Sequence, residues 1–378
     1  MAEPIRVLHV IGIMNRGGAE TMIMNLYRNI DRTRVQFDFV QNEGGPAAYD
    51  EEILSLGGRI YHCPRYRGKN HFAYTKWWNT FFREHSREYS VVHGHIGSTA
   101  AIYQSIAKRY GIYTIAHSHN TNTMQTLSDR LYWIFAYPTR YIADHFFACA
   151  EEAGISRYGR KIGTDAVRCN VLHNAIDTSK FSYDRDSREA IRSQLGIGES
   201  KFVIGNISRF SAQKNHAFLL DIFQFVHDLN KDSVLLLVGD GELRPKIEAA
   251  IAEKHLEDAV IMTGVQNNTW DYYQAMDVFL MPSLFEGLPV SLVEAQTAGL
   301  PCCVSTGVPQ EAAITDLVQF RSLDDTPESW AEWVLERASL PRRSMAEEIR
   351  HAGYDIAETS RWLAEFYTKV VMSHGGSH

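Results

Sequence analysis

The chain is poor in cysteine. Five cysteines in 378 residues, at positions 63, 149, 169, 302 and 303, are odd in number, include an adjacent pair and form no CxxC motif. That excludes a disulfide framework and a cysteine-based zinc motif, and it makes a reducing cytosol the expected location. Long apolar runs are also missing: nothing reaches eighteen consecutive apolar residues, so any membrane contact is expected to be peripheral. The opening MAEPIRVLHVIGI reads as a strand, too short to span and without a signal-peptide cleavage pattern. There is no excess of positive charge. A net charge of −7 argues against general nucleic-acid binding. No GxGxxG and no short repeat occurs, and SHGGSH at the end is the only biased tract.

What is present is an ordinary globular composition, 45% hydrophobic and 22% charged, in a chain long enough for two cores at about 150 residues per domain. Apolar runs of strand length alternate with helical patterns twice over. The first series runs through residues 5–11, 35–40, 59–63, 91–96, 113–118 and 145–150. The second runs through 201–208, 233–239, 259–264, 278–282 and 301–305. Such alternation predicts parallel sheets covered on both faces, so the fold class is α/β with two doubly wound, Rossmann-like domains facing a cleft. The seam is expected near residues 175–200, where AIDTSKFSYDRDSREA is polar and lacks either period. The reading is a first domain over 1–180, a second domain over 181–343, and an amphipathic segment from 344 that packs back along the outside.

The most informative stretch is SLFEGLPVSLVEAQTAGLP, residues 283–301. It follows a strand, so Glu286, Gly287 and Leu288 fall on a loop, and Pro289 with Val290 opens a helix that carries Glu294. Proline at a helix entry loses no hydrogen bond, and the free N–H groups there suit an anion. Other strand-to-helix turns are of the same kind. GIMNRGGAET holds Gly17 and Gly18 before a helix, RFSAQKN places Arg209 and Lys214 five apart, and GDGEL brings Gly239. Arginine by its fork and lysine as a point charge can grip a diphosphate. Taken singly, each turn is as readily a solvated loop or a plain tight turn.

Together, R-x4-K, GDGE, the strand end at Gly264 and E286-x7-E294 resemble the nucleotide-sugar half of the retaining glycosyltransferase family 4. RGGAE, HGH, HSHN and HNAIDTSKF resemble its first half. The resemblance implies the GT-B fold and a nucleoside-diphosphate sugar donor, UDP-linked by base rate, with no metal or other cofactor required. It implies that Arg209, Lys214 and the helix at Val290 hold the diphosphate, that Glu294 accepts from the ribose hydroxyls, and that Glu286 faces the sugar. The base would be met through backbone near Gly264 and Val265. The acceptor would be a glycan or a polyprenyl-linked glycan in surface polysaccharide synthesis. Two departures stand out. Ala175 replaces a glycine of the domain-joining segment, and TGVPQEAAITDL lacks the family's longer glycine-rich loop, leaving Glu311 as an open candidate for its acid.

The histidines allow a second chemistry. His93 with His95, and His117 with His119, alternate along strands and share a face. The resemblance places one histidine near the transferred sugar, at His117 or at His119 beside Asn120, and both stay open. The same HxH pairs could serve a metal-dependent hydrolase, although no barrel pattern accompanies them. A glycosidase would also use two carboxylates. The donor motifs equally suit a sugar-nucleotide epimerase on the same fold, or a non-catalytic binder of nucleotide sugars. Finally, residues 59–89 carry a net +5 with aromatics interleaved, including Trp77, Trp78 and Phe81. They form either a peripheral membrane or acceptor contact or a helix with an aromatic core face.

Overall fold

A computed structural model describes residues 3–42, 44–119, 127–337 and 342–375. Contacts divide the chain into two compact units, Met1–Ala175 with Ile356–His378, and Ile176–Asp355.

The first unit is built on β1 (Ile5–Ile11), β2 (Val35–Gln41), β3 (Ile60–His62), β4 (Val91–Gly94), β5 (Tyr113–Ser118), β6 (His145–Ala148) and β7 (Cys169–Val171), in the order β3-β2-β1-β4-β5-β6-β7. The second uses β8 (Phe202–Ile207), β9 (Ser233–Val238), β10 (Val260–Gly264), β11 (Val278–Met281), β12 (Cys302–Ser305) and β13 (Val318–Arg321), in the order β10-β9-β8-β11-β12-β13. All the ladders among the described residues are parallel. Both orders are Rossmann-like, with a switch point between β1 and β4 and another between β8 and β11. Helices cover both faces, which is why strands such as VQFDFVQ and SVLLLV are buried along their whole length.

Register explains what the strands carry outward. His9 pairs with His93 across β1 and β4, and Ile115 pairs with His93 across β4 and β5. His9, His93 and His117 therefore point to one face. On that face lies the helix Ile356–Gly375, whose Leu363, Ala364 and Tyr367 are buried among Phe37, Phe39 and Phe147.

The amphipathic segment from 344 is not one helix. Ala346–Ile349 stays in the second unit, Gly353 turns the chain at φ 87°, and Ile356–Gly375 joins the first unit's core. Glycine suits that turn because a left-handed backbone costs it little. The basic segment resolves mostly toward the core reading. In the helix His71–His85, Tyr74, Trp78, Phe81 and Phe82 are buried, whereas Phe72 is 89% exposed and Lys69 and Lys76 stay in solvent. No described helix is long and apolar enough to cross a membrane.

Candidate functional site

In the second unit the residues expected to bind a ligand gather at the carboxyl ends of β8 and β11, on either side of the switch point. β8 runs into Ser208 and Arg209, then a short turn of 3-10 helix, Ala212–Lys214. Asn215 follows in the left-handed region at φ 55°, which asparagine tolerates, and starts the helix His216–Leu229. β11 runs into Pro282 and the loop to Pro289. The two loops are stitched together: Leu284 N–H donates to Gln213 O at 2.8 Å, and the Gln213 amide donates to Phe285 O at 2.9 Å and Glu286 Oε2 at 3.1 Å.

The consequence is a close ion pair. Lys214 Nζ lies 2.6 Å from Glu286 Oε1, with the lysine side chain 16% and the glutamate 6% exposed. Glu286 N–H donates to Gly307 O at 3.0 Å, fixing the loop from the other side. Two residues 72 apart in sequence are thus brought into one charge-assisted contact. Arg209 stays exposed and reaches Glu242 Oε2 at 3.2 Å.

Gly239 and Gly241 have a structural reason to be there. Gly239 sits at φ 139°, and a Cβ on it would lie 2.0 Å from Ser208 O; on Gly241 it would lie 2.4 Å from Phe210 O. The GDGE turn is pressed against the backbone that presents Arg209, with Phe210 N–H donating to Asp240 O at 2.9 Å. Gly264 ends β10 at φ 71°, and Val265 after it is 64% exposed.

The helix Val290–Thr297 begins after Pro289, which takes the capping position. Leu292 and Val293 N–H turn back to Pro289 O, while Val290 and Ser291 N–H find no backbone acceptor among the described residues. Gly287 is open on its side-chain position. The start of this helix therefore presents unsatisfied donors, and its dipole favours an anion. Just over one turn in, the half-buried Glu294 accepts from the Tyr273 hydroxyl at 2.7 Å; the same hydroxyl donates to Ser291 O at 3.0 Å. Burial pushes the Glu294 carboxyl up to about 7, against the Tyr273 hydrogen bond, which pulls it down. Tyr273 and Gln213 have no signal in the sequence. Tyr273 resembles any buried tyrosine there, and Gln213 becomes visible only when the two loops meet.

In the first unit the β1 turn places Gly17 at the cap of the helix Gly18–Asn29, with open space over Gly18. Beside it the histidines form two linked rows. His9 Nδ1 meets His95 Nε2 at 2.9 Å, and His95 Nδ1 meets His119 Nε2 at 2.8 Å. His93 Nδ1 meets the Tyr367 hydroxyl at 2.7 Å, and His93 Nε2 meets His117 Nδ1 at 3.2 Å. Burial pushes all five imidazoles down, His9 to about 3 and His119 to about 4. They are neutral at physiological pH. His117 is buried within β5, whereas His119 lies beyond the strand end and is partly exposed. Asn120 lies outside the described residues. His9 and Tyr367 are further members that sequence spacing did not give. The HxH pattern pointed to a face, and only strand order shows what joins it.

Residues 16–180 match the model of Glycosyltransferase Family 4, and residues 187–350 match that of Glycosyl transferases group 1. A protein of Bacillus subtilis (strain 168), provisionally named as the glycosyltransferase EpsF, is 36% identical over 370 residues, 96% of each chain. The capsular polysaccharide biosynthesis glycosyltransferase CapH of Staphylococcus aureus is 22% identical over 96% of this chain and 98% of its own. Among solved structures, Anabaena Alr3699/HepE in complex with UDP superposes with a TM-score of 0.77 at 16% identity, covering 97% of this chain and all of that one. With both halves matched and a relative aligned over nearly its whole length, the chain belongs to the family 4 glycosyltransferases and has their GT-B pairing of two Rossmann-like units.

Proposed function

We propose that the protein transfers a sugar, with retention of configuration, from a UDP-sugar to a glycan or polyprenyl-linked acceptor in surface polysaccharide synthesis. The observation that carries this is the arrangement at the β8/β11 switch point. Two cations, a helix N-terminus with free donors and two separately placed carboxylates match the parts of a nucleoside-diphosphate sugar. UDP is the ligand of the Anabaena structure, and capsular polysaccharide is in the name of the S. aureus relative.

In this reading Arg209, Lys214 and the amides at Val290 bind the diphosphate. Glu294 accepts from the ribose, and the base meets the chain at Gly264 and Val265. Gly287, Leu288 and Pro289 let the phosphates approach the helix start. Glu286 holds Lys214 in place and accepts from the sugar hydroxyls. The bond from sugar C1 to the phosphate oxygen breaks, and the acceptor oxygen bonds to C1 on the same face. The acceptor proton passes to the departing phosphate. Charge grows on that phosphate, so a preorganised donor there is worth roughly 10²- to 10³-fold in rate. In the first unit, Gly17 and Gly18 open the turn after β1, and His119 is the better candidate to meet substrate because His117 is enclosed within its strand. No metal is required in this scheme. Lipid contact is assigned to the cations and Phe72 of residues 59–89, with the exposed Leu131, Ile134 and Phe135 of the helix Leu127–Ala136 as a second apolar face.

The test is an assay of UDP release from UDP-sugars with a polyprenyl-diphosphate-linked glycan, with NMR assignment of the new anomeric centre. Acceptor-dependent release, a retained configuration and activity that survives EDTA are expected. Conversion of the donor without acceptor would mean an epimerase, no turnover a binder, and loss in EDTA restored by zinc a metal enzyme. Arg209→Ala is expected to lower kcat by roughly 10²-fold or more, and wild-type turnover at saturating donor would remove Arg209 from the site.

A further inference from the structure

We propose that His95, His117 and His119 form a binding site for a zinc-class transition-metal ion at the carboxyl end of β4 and β5. One ring nitrogen from each of the three lies within 4.8 Å of the others. Three imidazoles with a fourth position left for water or substrate are a common zinc arrangement, and imidazole also suits copper and nickel. Hard ions such as magnesium prefer oxygen ligands, of which this group has none.

A second observation points the same way. His117 is 95% buried, yet its Nε2 has no hydrogen-bond partner among the described residues. Its other nitrogen is taken by His93, which is in turn taken by Tyr367. A buried polar atom without a partner is costly unless something outside the protein satisfies it. Between His95 and His119 a single proton bridges two nitrogens 2.8 Å apart. A metal ion takes that place when the donor ring shifts its proton to its other nitrogen and the pair opens by roughly half an ångström, given Zn–N bonds of about 2.0–2.1 Å and tetrahedral angles.

A second trio, His9, His93 and His95, also satisfies the spacing. It is the poorer site. His9 and His93 are each 1% exposed, and His93 is committed to Tyr367. A divalent ion among neutral ligands in so enclosed a place carries a large desolvation cost. His95 and His119 are partly exposed, so an ion on the outer trio keeps contact with water.

The consequence rests on the reading of His119 as a substrate contact: zinc occupies that residue and blocks transfer. The protein is a glycosyltransferase that needs no metal and is inhibited by one.

The test uses the full chain without a tag. Zinc is equilibrated by dialysis, and X-ray absorption at the zinc edge reads its ligands on the wild-type protein. One ion per chain with three imidazoles in its shell is expected. A shell with fewer than three imidazoles overturns the site. His117→Gln is expected to weaken binding by more than the roughly 10- to 100-fold that loss of an outer hydrogen-bond partner costs, and His9→Gln, which removes the partner of His95 Nε2, to weaken it by no more than that. Equal losses in both overturn the choice of trio. Transfer is then measured against zinc and against magnesium. Inhibition by zinc at the concentration that fills the site supports the consequence. A filled three-imidazole site with undiminished transfer overturns the role given to His119 while leaving the metal site standing.

Discussion

At Glu294, burial and ligand chemistry pull in opposite directions. Burial pushes its carboxyl up to about 7 from an ordinary value of 4.5, while the ribose hydroxyls proposed to bind there would donate more strongly to a charged acceptor. A raised folded-state value means that this group's favourable contribution is complete below about 4.5 and is lost as pH rises through about 7. Glu294→Gln, which stays neutral, is therefore expected to raise Tm relative to wild type at pH 8 and to give no such gain at pH 5. Nucleotide binding reverses the sign. Hydroxyl donation to the carboxylate favours its ionised form, so on the proposed ribose role UDP affinity is expected to rise from pH 6 to 8 and binding below pH 7 to release protons. Calorimetry in buffers of different ionisation enthalpy reads that release, and none at pH 6 would contradict the ribose role. Glu286, Glu294, Arg209 and Lys214 could be named as candidates from the sequence because short motifs carry them. The Lys214–Glu286 contact at 2.6 Å was not, because 72 residues separate the partners and only strand order joins β8 to β11.

Among the elements, the loop bearing Arg209 depends on a glycine behind it. Gly239→Ala places a methyl group 2.0 Å from Ser208 O at φ 139°, a backbone cost on the order of 1–3 kcal/mol before the clash is counted. Chemical denaturation is expected to show at least that loss, together with weaker UDP binding. Unchanged stability would mean that the turn is not pressed against the loop. Arg342 acts similarly on helix ends. Its guanidinium donates to Ala298 O at 2.9 Å and to Gln274, Met276 and Tyr273 O at 2.8, 2.9 and 2.8 Å. It thereby satisfies the carboxyl ends of the helices Thr269–Ala275 and Val290–Thr297. Arg342→Ala is expected to cost about 1–3 kcal/mol in denaturant unfolding, since Ala298 O loses its donor while Gln274 O and Met276 O keep Arg188. Strand positions were readable wherever six or so apolar residues ran together, as at 202–207 and 233–238. The edge strands β7, CNV, and β13, VQFR, were missed because polar residues interrupt their short apolar runs.

Across the whole chain, the last helix returns to the first unit. Leu363, Ala364 and Tyr367 fill that unit's core, and Tyr367 anchors His93. Removing residues 356–378 is expected to expose that core, seen as dye binding and loss of the first unit's cooperative melting. A truncated protein with wild-type melting would show that the helix is dispensable. The doubly wound sheets were legible from alternation, and so was a last segment that packs back, but not the unit that receives it, because an amphipathic pattern says that a face is buried without saying against what. Transfer in this scheme requires the second unit to hold a nucleoside diphosphate with one acid at the ribose and the other at the sugar. Calorimetric titration of UDP and of an intact UDP-sugar into wild type, Glu286→Gln and Glu294→Gln tests it most directly. Glu294→Gln is predicted to weaken both ligands, and Glu286→Gln to bind UDP at least as well as wild type while losing affinity for the intact donor. If Glu286→Gln loses UDP and Glu294→Gln keeps it, the assignment of the two acids is wrong.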